Sequence, residues 1–441
     1  MSFDIACARL RSRVAARWVR FDAALCAALV GLWAAASPLE AGAAVAEPAV
    51  LESASFQEAI ARTLERNPQL LAAGYALDAA RAREQSAAFA PALNVSTTLE
   101  NAAGTGTFTG LNAADLTLAL SSTYERGGKR EARIGVARAE LELTSVEQRI
   151  TTFDVLTETA RRYVALAASQ SRLALSQRQV DQLDETRRLI EPRVNAARSP
   201  RTELLNVRLD LSRAVQRLSA AERAVEAARI ALSAQWGGRD LVSARTDLLT
   251  LPPVADLRVL RSRLDTVPDL ARFASSARVR ESELRLATAQ ASTDWGWQVG
   301  VRRLGVERDT ALMASVSMSL GQAARARPLQ AEARAGRALV EAEGRAARND
   351  LEGELGRRSA DLASARDAVS AISSEQLPLA EEALSLTRRG YEIGRFPYRE
   401  LSIAQQQILD LETARLDAAV FYHLTRVELE RLTGGRLDVL E

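Results

Sequence analysis

Two stretches of this 441-residue chain repeat each other at a nearly fixed distance. Residues 197–204 read Ala-Arg-Ser-Pro-Arg-Thr-Glu-Leu, and residues 394–401 read Gly-Arg-Phe-Pro-Tyr-Arg-Glu-Leu. Several matches at nearly one offset predict a duplicated fold, in which each half builds the same arrangement of elements. The further matches are Arg229 with Arg426, Gly237 with Gly434, Gly238 with Gly435, and residues 67–70 with 267–270.

Each half also contains a very long stretch without proline, at residues 130–191 and 329–377. A helix of about 60 residues would be on the order of 90 Å long. Abundant Ala, Leu, Arg and Glu with only 5% aromatic residues is typical of long packed helices. Because these stretches are rich in Arg and Glu, they cannot be membrane spans, and we expect them to pack side by side in water.

Short segments before each long helix alternate strictly between apolar and polar residues. The clearest is residues 295–301, where Trp295 and Trp297 alternate with small or polar residues. Alternation over about nine residues is typical of transmembrane β-strands, and the two tryptophans are candidate membrane-interface residues. A soluble hairpin with one buried face is the alternative. The predicted strands are residues 92–100, 115–124, 294–302 and 311–320.

Four strands cannot close a membrane barrel, and an open sheet edge in lipid leaves backbone groups without hydrogen bonds. The membrane interpretation therefore requires oligomers. Three copies would supply twelve strands, which is enough to enclose an aqueous lumen.

The N-terminus predicts export. Five arginines precede an apolar run at residues 23–36, and small residues follow up to Ala46. This order is that of a cleaved secretory signal at residues 1–46, although a membrane anchor or buried helix is the alternative. Cys7 and Cys26 lie within this segment, and Cys26 is placed wrongly for lipidation. The remaining predicted regions are a first repeat at 47–240, a linker at 241–255 and a second repeat at 256–441.

Composition excludes several classes of function. One histidine and two cysteines cannot provide a His/Cys metal cluster, a zinc finger or a disulfide framework. A net charge of +2 argues against nucleic-acid binding. Gly127, Gly128 and Lys129 lack the spacing of a phosphate loop, so we interpret the two glycines as a flexible strand-to-helix elbow. We expect His423 to be a packing residue, and we predict no catalytic residue, cofactor or metal site, and no enzyme activity.

Four segments carry a family resemblance. The most specific is residues 124–133, Tyr-Glu-Arg-Gly-Gly-Lys-Arg-Glu-Ala-Arg. The chain resembles the TolC-like outer-membrane efflux channels, and is most similar to the CzcC-like components of heavy-metal efflux pumps. It departs from the usual pattern at Asn195-Ala-Ala and at Gly321-Gln-Ala-Ala-Arg. The other segments are Phe56-Gln-Glu-Ala-Ile-Ala with Arg66-Asn-Pro-Gln-Leu70, Ala234-Gln-Trp-Gly-Gly238, and Arg389-Gly-Tyr-Glu-Ile-Gly394.

The resemblance implies a mainly helical fold with a small β part. Three copies would form a twelve-stranded barrel in outer-membrane lipid, continued through the periplasm by a hollow α-barrel. Such a channel conducts passively, receiving cargo, here divalent heavy-metal cations, from an inner-membrane pump through a periplasmic adaptor. The alternatives are a duct for drugs or type I secreted proteins, or a soluble periplasmic coiled-coil adaptor or spacer.

The resemblance also assigns roles to the residues at the helix-to-helix turns. Glu203 and Glu400 match acidic residues that narrow the periplasmic mouth, where a trimer would present six carboxylates that favour cations. Alternatively, each acid only complements the dipole of its own helix. Four neighbouring arginines, including Arg399, could pair with these acids. The residues expected to dock the adaptor are Arg198, Pro200, Arg201, Tyr391, Gly394, Arg395 and Pro397.

Overall fold

The computed structural model describes residues 52–238 and 242–435. The predicted signal segment, residues 1–46, lies outside the described residues. The first half contains strand β1 (Glu52–Ala54), helices α1 (Phe56–Arg66) and α2 (Pro68–Ala87), strands β2 (Asn94–Glu100) and β3 (Asp115–Tyr124), and helices α3 (Lys129–Asn195) and α4 (Arg201–Ser233).

The second half follows the same order. It contains strand β4 (Val242–Ala244), helices α5 (Leu257–Arg263) and α6 (Pro268–Ala289), strands β5 (Trp295–Arg303) and β6 (Thr310–Met318), and helices α7 (Gln322–Ala371), α8 (Leu377–Glu392) and α9 (Tyr398–Thr433). The prediction of a mainly helical fold with a small β part is confirmed.

In each half, the helical region before the strand pair is broken in two by a proline. Pro68 and Pro268 begin α2 and α6, because proline lacks an amide hydrogen and fits best in the first turn of a helix. Asn67 caps α2, its side-chain oxygen accepting hydrogen bonds from the amides of Gln69 at 2.9 Å and Leu70 at 3.4 Å. The first helical region is therefore two helices in each half.

The segment expected to be a linker contains strand β4. This strand pairs in parallel with β1, with Ala54 opposite Ala244. The buried hydroxyl of Tyr163 on α3 donates to the carbonyl of Ala54 at 3.0 Å and accepts from the amide of Arg245 at 3.0 Å. The middle of the long helix α3 is thereby fixed to the small β1–β4 sheet.

Helices α7 and α8 form one continuous helical stretch, joined by a wider π turn at Ile372–Gln376. Pro378 is the second residue after this turn. Proline cannot donate the usual backbone hydrogen bond, and both proline and π turns distort a helix locally.

The helices pack side by side, with α3 contacting α2, α4, α6 and α9. Several separate apolar clusters lie along their length. One cluster surrounds Tyr163 and Trp236, and another lies between the ends of α3, α4, α8 and α9 around Ile190 and Leu401. Within the described ranges, no helix is both long enough and apolar enough to cross a bilayer.

Candidate functional site

The four longer strands form one antiparallel sheet in the order β2-β3-β5-β6. The hairpin of the first half lies beside the hairpin of the second, with Leu118 opposite Val301. Within the described part of the chain, the outer strands β2 and β6 each have one unpaired edge. The sheet of a single copy is therefore open on both sides.

The sheet has its apolar face outside. Residues directly opposite in an antiparallel sheet share a face, and one face carries Val95, Leu118, Val301 and Leu312, all of them exposed. The opposite face carries Asp115, Thr117, Gln298, Gly300, Arg302 and Ser315. Along β3, the polar-face residue Thr117 is 6% exposed and its apolar neighbour Leu118 is 54% exposed.

Trp295 and Trp297 lie on the apolar face, at the end of the sheet nearest the helices. Trp295 is opposite Tyr124 on β3, and its ring stacks with the guanidinium of Arg126, which lies 5.2 Å from the ring centroid. Its side chain is exposed, whereas that of Trp297 is half-buried. An aromatic row at one edge of an apolar band is typical of the interface girdle of a membrane barrel.

The elbow between β3 and α3 is held by Asp294, the residue just before β5. One carboxylate oxygen accepts from the Lys129 ammonium at 2.6 Å, and the other accepts from the backbone amide of Arg126 at 3.1 Å. Gly127 and Gly128 have φ of 73° and 71°, in the region that favours glycine. Sequence reasoning missed Asp294, because nothing local indicates that it contacts residues about 165 positions earlier.

Two arginines just after the elbow, Arg130 and Arg133, cap the C-terminal end of helix α2. Arg130 donates to the carbonyl of Ala88 at 2.6 Å, and Arg133 donates to the carbonyls of Ala87 at 3.1 Å and Phe89 at 3.0 Å. Arg133 also pairs with Glu125 at 2.6 Å, and the hydrogen bond that Arg133 donates to this carboxylate raises the pKa of the guanidinium. The most specific sequence segment thus joins the end of α2, the end of β3 and the start of α3.

The two helix-to-helix turns share one backbone geometry. Turn one is residues 196–200, between α3 and α4; turn two is residues 393–397, between α8 and α9. The amide of Arg198 bonds to the carbonyl of Arg193 at 2.8 Å, and that of Arg395 bonds to the carbonyl of Gly390 at 2.8 Å. The left-handed positions are Ala197, with φ of 57°, and Gly394, with φ of 78°. We call the two turns and the adjoining helix ends the helix tips.

The side chains of the two predicted acids differ. Glu203 is half-buried and accepts from the Tyr391 hydroxyl at 3.3 Å and from the Tyr398 amide at 3.5 Å. Glu400 is exposed, and its carboxylate makes no hydrogen bond or ion pair with any described residue. The backbone positions are equivalent, since each amide bonds to the carbonyl of the proline three residues earlier at 3.1 Å.

The expected pairing of the tip arginines with these acids is not found among the described residues. Arg193, which the sequence did not single out, is the basic residue that joins the turns. It donates to the carbonyl of Glu392 at 2.8 Å, and its guanidinium lies 5.0 Å from the centroid of the Tyr391 ring. The exposed members of the tip, none with an ion pair to a described residue, are Arg198, Arg201, Arg395 and Arg399.

Burial raises the pKa of both tyrosines at this junction. Burial raises the pKa of Tyr398 to about 12, and the nearby Asp210 carboxylate contributes to this increase. For Tyr391 the next cause is the charge of Glu203. Both hydroxyls therefore stay neutral, as donors to carboxylates, at neutral pH.

His423 is buried, and its Nε2 atom lies 2.9 Å from the carbonyl oxygen of Leu248. Burial lowers its pKa, so the ring is neutral at neutral pH. Among the described residues, no group of three or more His, Cys, Asp or Glu side chains is arranged to hold a metal ion.

Residues 59–238 match the family model described as outer membrane efflux protein. This part of the chain is similar to that family. Proteins of the outer membrane efflux family are channels and not enzymes, which agrees with the prediction of no catalytic activity.

A curated relative supports the same family. The cobalt-zinc-cadmium resistance protein CzcC of Cupriavidus metallidurans is 22% identical over 322 residues, which are 72% of this chain and 77% of the relative. The resemblance predicted from sequence is confirmed.

Solved membrane proteins have the same fold as this chain. The structure of CusC superimposes with a TM-score of 0.74 at 16% identity, covering 86% of this chain and 92% of CusC. A membrane protein from Pseudomonas aeruginosa gives a TM-score of 0.72 at 18% identity, covering 88% of this chain and 92% of that protein.

Proposed function

We propose that this chain is the outer-membrane exit channel of a tripartite efflux pump. Three copies would assemble so that their sheets close a twelve-stranded barrel, and cargo would pass passively from the periplasm to the exterior. The inner-membrane pump supplies the energy, and a periplasmic adaptor joins the pump to the helix tips. The observation that carries the proposal is the sheet, whose apolar face is exposed, whereas the polar-face residues Asp115 and Thr117 of its inner strand β3 are buried.

This pattern supports a lipid-facing barrel. A soluble sheet buries its apolar face, whereas Leu118 is 54% exposed and Thr117 is 6% exposed on the same strand. The open edges of β2 and β6 support oligomers, because unpaired backbone groups in hydrocarbon cost several kcal/mol each, of order 2–7. Trp295, Trp297 and Tyr124 would then lie at the periplasmic interface of the membrane.

Divalent heavy-metal cations are the cargo we propose. The support is the relationship to CzcC, whose name records cobalt, zinc and cadmium resistance. A conduit has no need of a tight metal site, since conduction requires sites weak enough to release the ion. In this proposal Glu400 supplies the exposed carboxylate of each copy at the periplasmic mouth, and Glu203 serves mainly to join the two turns.

Cell fractionation tests the channel itself. We expect the protein in the outer-membrane fraction, and as a trimer after detergent extraction. Recovery in the soluble periplasm, or a monomer in mild detergent, would favour the soluble coiled-coil alternative instead.

Gene deletion tests the cargo. We expect the deletion strain to become sensitive to zinc, cobalt or cadmium, and to recover when the gene is supplied on a plasmid. A panel of drugs serves as the comparison. If the deletion strain is sensitive to drugs but not to metals, the channel proposal stands, and the cargo is drugs instead of metal cations.

A further inference from the structure

The helix tips carry an excess of positive charge. Arg198, Arg201, Arg395 and Arg399 are all exposed, and within the described residues none of the four forms an ion pair. Unpaired arginines are fully charged at any physiological pH. The outermost surface of the helical part is therefore basic.

The carboxylates of the tips do not balance this charge. Glu203 accepts hydrogen bonds from Tyr391 and Tyr398, and Glu392 pairs with Arg388 at 3.5 Å. Glu203 and Glu400 are the acidic residues in the first helical turns of α4 and α9, directly after turns one and two. Of these two, Glu400 has no hydrogen-bond or ion-pair partner in the described part of the chain. Each copy thus presents four arginines against one available carboxylate.

Turn two also presents apolar side chains that turn one lacks. Ile393 is 78% exposed and Phe396 is 40% exposed, whereas the matching residues of turn one are Ala196 and Ser199. The Phe396 ring lies against Gly390, and a Cβ at Gly390 would overlap the ring. The ring is therefore held in place by close contact with the backbone, with part of its surface exposed beside Ile393.

We propose that the helix tips dock a partner segment that carries carboxylates around an apolar side chain, with turn two as the stronger of the two docking sites. The carboxylates would pair with the exposed arginines, and the apolar side chain would cover Ile393 and the exposed part of Phe396. Complementary charge around an apolar centre is the usual anatomy of such an interface. The inference rests on the proposed function, because it specifies the chemistry of the adaptor's tip.

Docking of this kind also bears on conduction. Rings of arginine favour anions and repel cations. Three copies would bring twelve arginines to the periplasmic mouth, and an acidic partner would neutralise them. The docked channel is therefore expected to admit cations more readily than the isolated channel.

Photo-crosslinking in intact cells tests the proposal. The full chain carries benzoylphenylalanine in place of Ile393, and the segment crosslinked to it is sequenced by mass spectrometry. We expect a protein segment with at least two Asp or Glu side chains within one helical turn of the crosslinked residue. The control position is Leu379, another exposed apolar residue, which lies on α8 about 20 Å away along the helix.

Charge variants provide the second arm. Changing Arg198, Arg201, Arg395 and Arg399 to Gln should lower the crosslink yield at position 393 about tenfold, since each exposed ion pair contributes modestly. The matched control changes Arg325, Arg327, Arg334 and Arg345 on α7, which are exposed, unpaired within the described ranges and far from the tips. The control should leave the yield unchanged.

Several results would overturn the inference. These are a neutral or basic crosslinked segment, crosslinks to lipid alone, no crosslink, or equal loss in both charge variants. Outer-membrane location and trimer formation are measured in the same cells. If these hold while the crosslink result is negative, the docking inference fails and the proposed channel function stands; if they fail, the proposed function itself is wrong.

Discussion

The hydroxyl of Tyr391 donates a hydrogen bond to the Oε2 atom of Glu203 across the two helix-to-helix turns, at 3.3 Å. The two residues are 188 positions apart in the chain. This contact distinguishes Glu203 from its repeat counterpart Glu400, whose carboxylate has no such partner among the described residues.

We expect the two acids to contribute differently to conduction. Glu400→Gln should shift the ion selectivity of the isolated channel in planar bilayers toward anions, because an exposed carboxylate attracts cations to the mouth. Glu203→Gln should change it less, since its charge is already bound by Tyr391 and Tyr398. Single-channel reversal potentials measure this. Equal effects of both substitutions would contradict the assignment.

Alkaline pH should loosen the junction between the turns. The pKa of Tyr398 is raised by burial to about 12, above the value near 10 expected in an unfolded chain. The stabilisation is fully present below about pH 10 and is lost as pH rises toward 12, on the order of 2 kcal/mol. Thermal unfolding of detergent-solubilised protein across this range measures the loss. The Tyr398→Phe variant should lose less stability over this pH range. An identical loss in the variant would show that the loss comes from groups other than Tyr398.

Ala197 is strained, and its counterpart Gly394 is not. Both have positive φ, which costs a residue with a Cβ about 1–2 kcal/mol. Ala197→Gly should therefore stabilise turn one by about 0.5 kcal/mol after the added freedom of the unfolded chain is counted, and Gly394→Ala should destabilise turn two by about 1 kcal/mol. Hydrogen exchange of the turn amides measures both. Opposite signs would refute the equivalence of the turns.

Asp294 should protect the elbow from proteolysis. Lys129 is the one lysine in the sequence, so a lysine-specific protease can cut the chain only there. Asp294→Ala removes the acceptor of the Lys129 ammonium and the Arg126 amide. It should speed this cleavage about tenfold, which corresponds to a loss of about 1.4 kcal/mol in the free energy of opening the elbow locally. The control Asp78→Ala removes an exposed pair with Arg81 and should change the rate little.

Gly127 should not tolerate a side chain. A Cβ there would overlap Ser292, and the substituted residue would also have to adopt a φ of 73°. Gly127→Ala should reduce the yield of folded protein, measured by detergent extraction from the membrane fraction. The matched control is Gly135→Ala in α3, where nothing lies within 4 Å of the added atom, and it should stabilise the helix by up to about 1 kcal/mol. Equal yields for both variants would contradict the role of the elbow.

Much of the secondary structure could be predicted from the sequence, because helices and strands leave periodic, local patterns. The alternation around Trp295 placed β5 to within one residue at each end. The break before Pro68 was visible in principle, since proline at a first helical position is a local signal. The strand β4 could not be predicted in this way. It has three residues, which are too few to show an alternating pattern, and its partner strand β1 is distant in the sequence.

The sequence by itself determined the helix-rich fold and the strand pairs, and it carried the family resemblance. Only the tertiary structure decided which acid is bound and which arginines are unpaired. The repeat places Glu203 and Glu400 at equivalent positions, but the counterparts of Tyr391 and Tyr398 are Val194 and Arg201. Among the described residues, Glu203 therefore has a tyrosine hydroxyl of the other helix tip beside its carboxylate and Glu400 does not. That difference takes effect only where packing brings the two turns together.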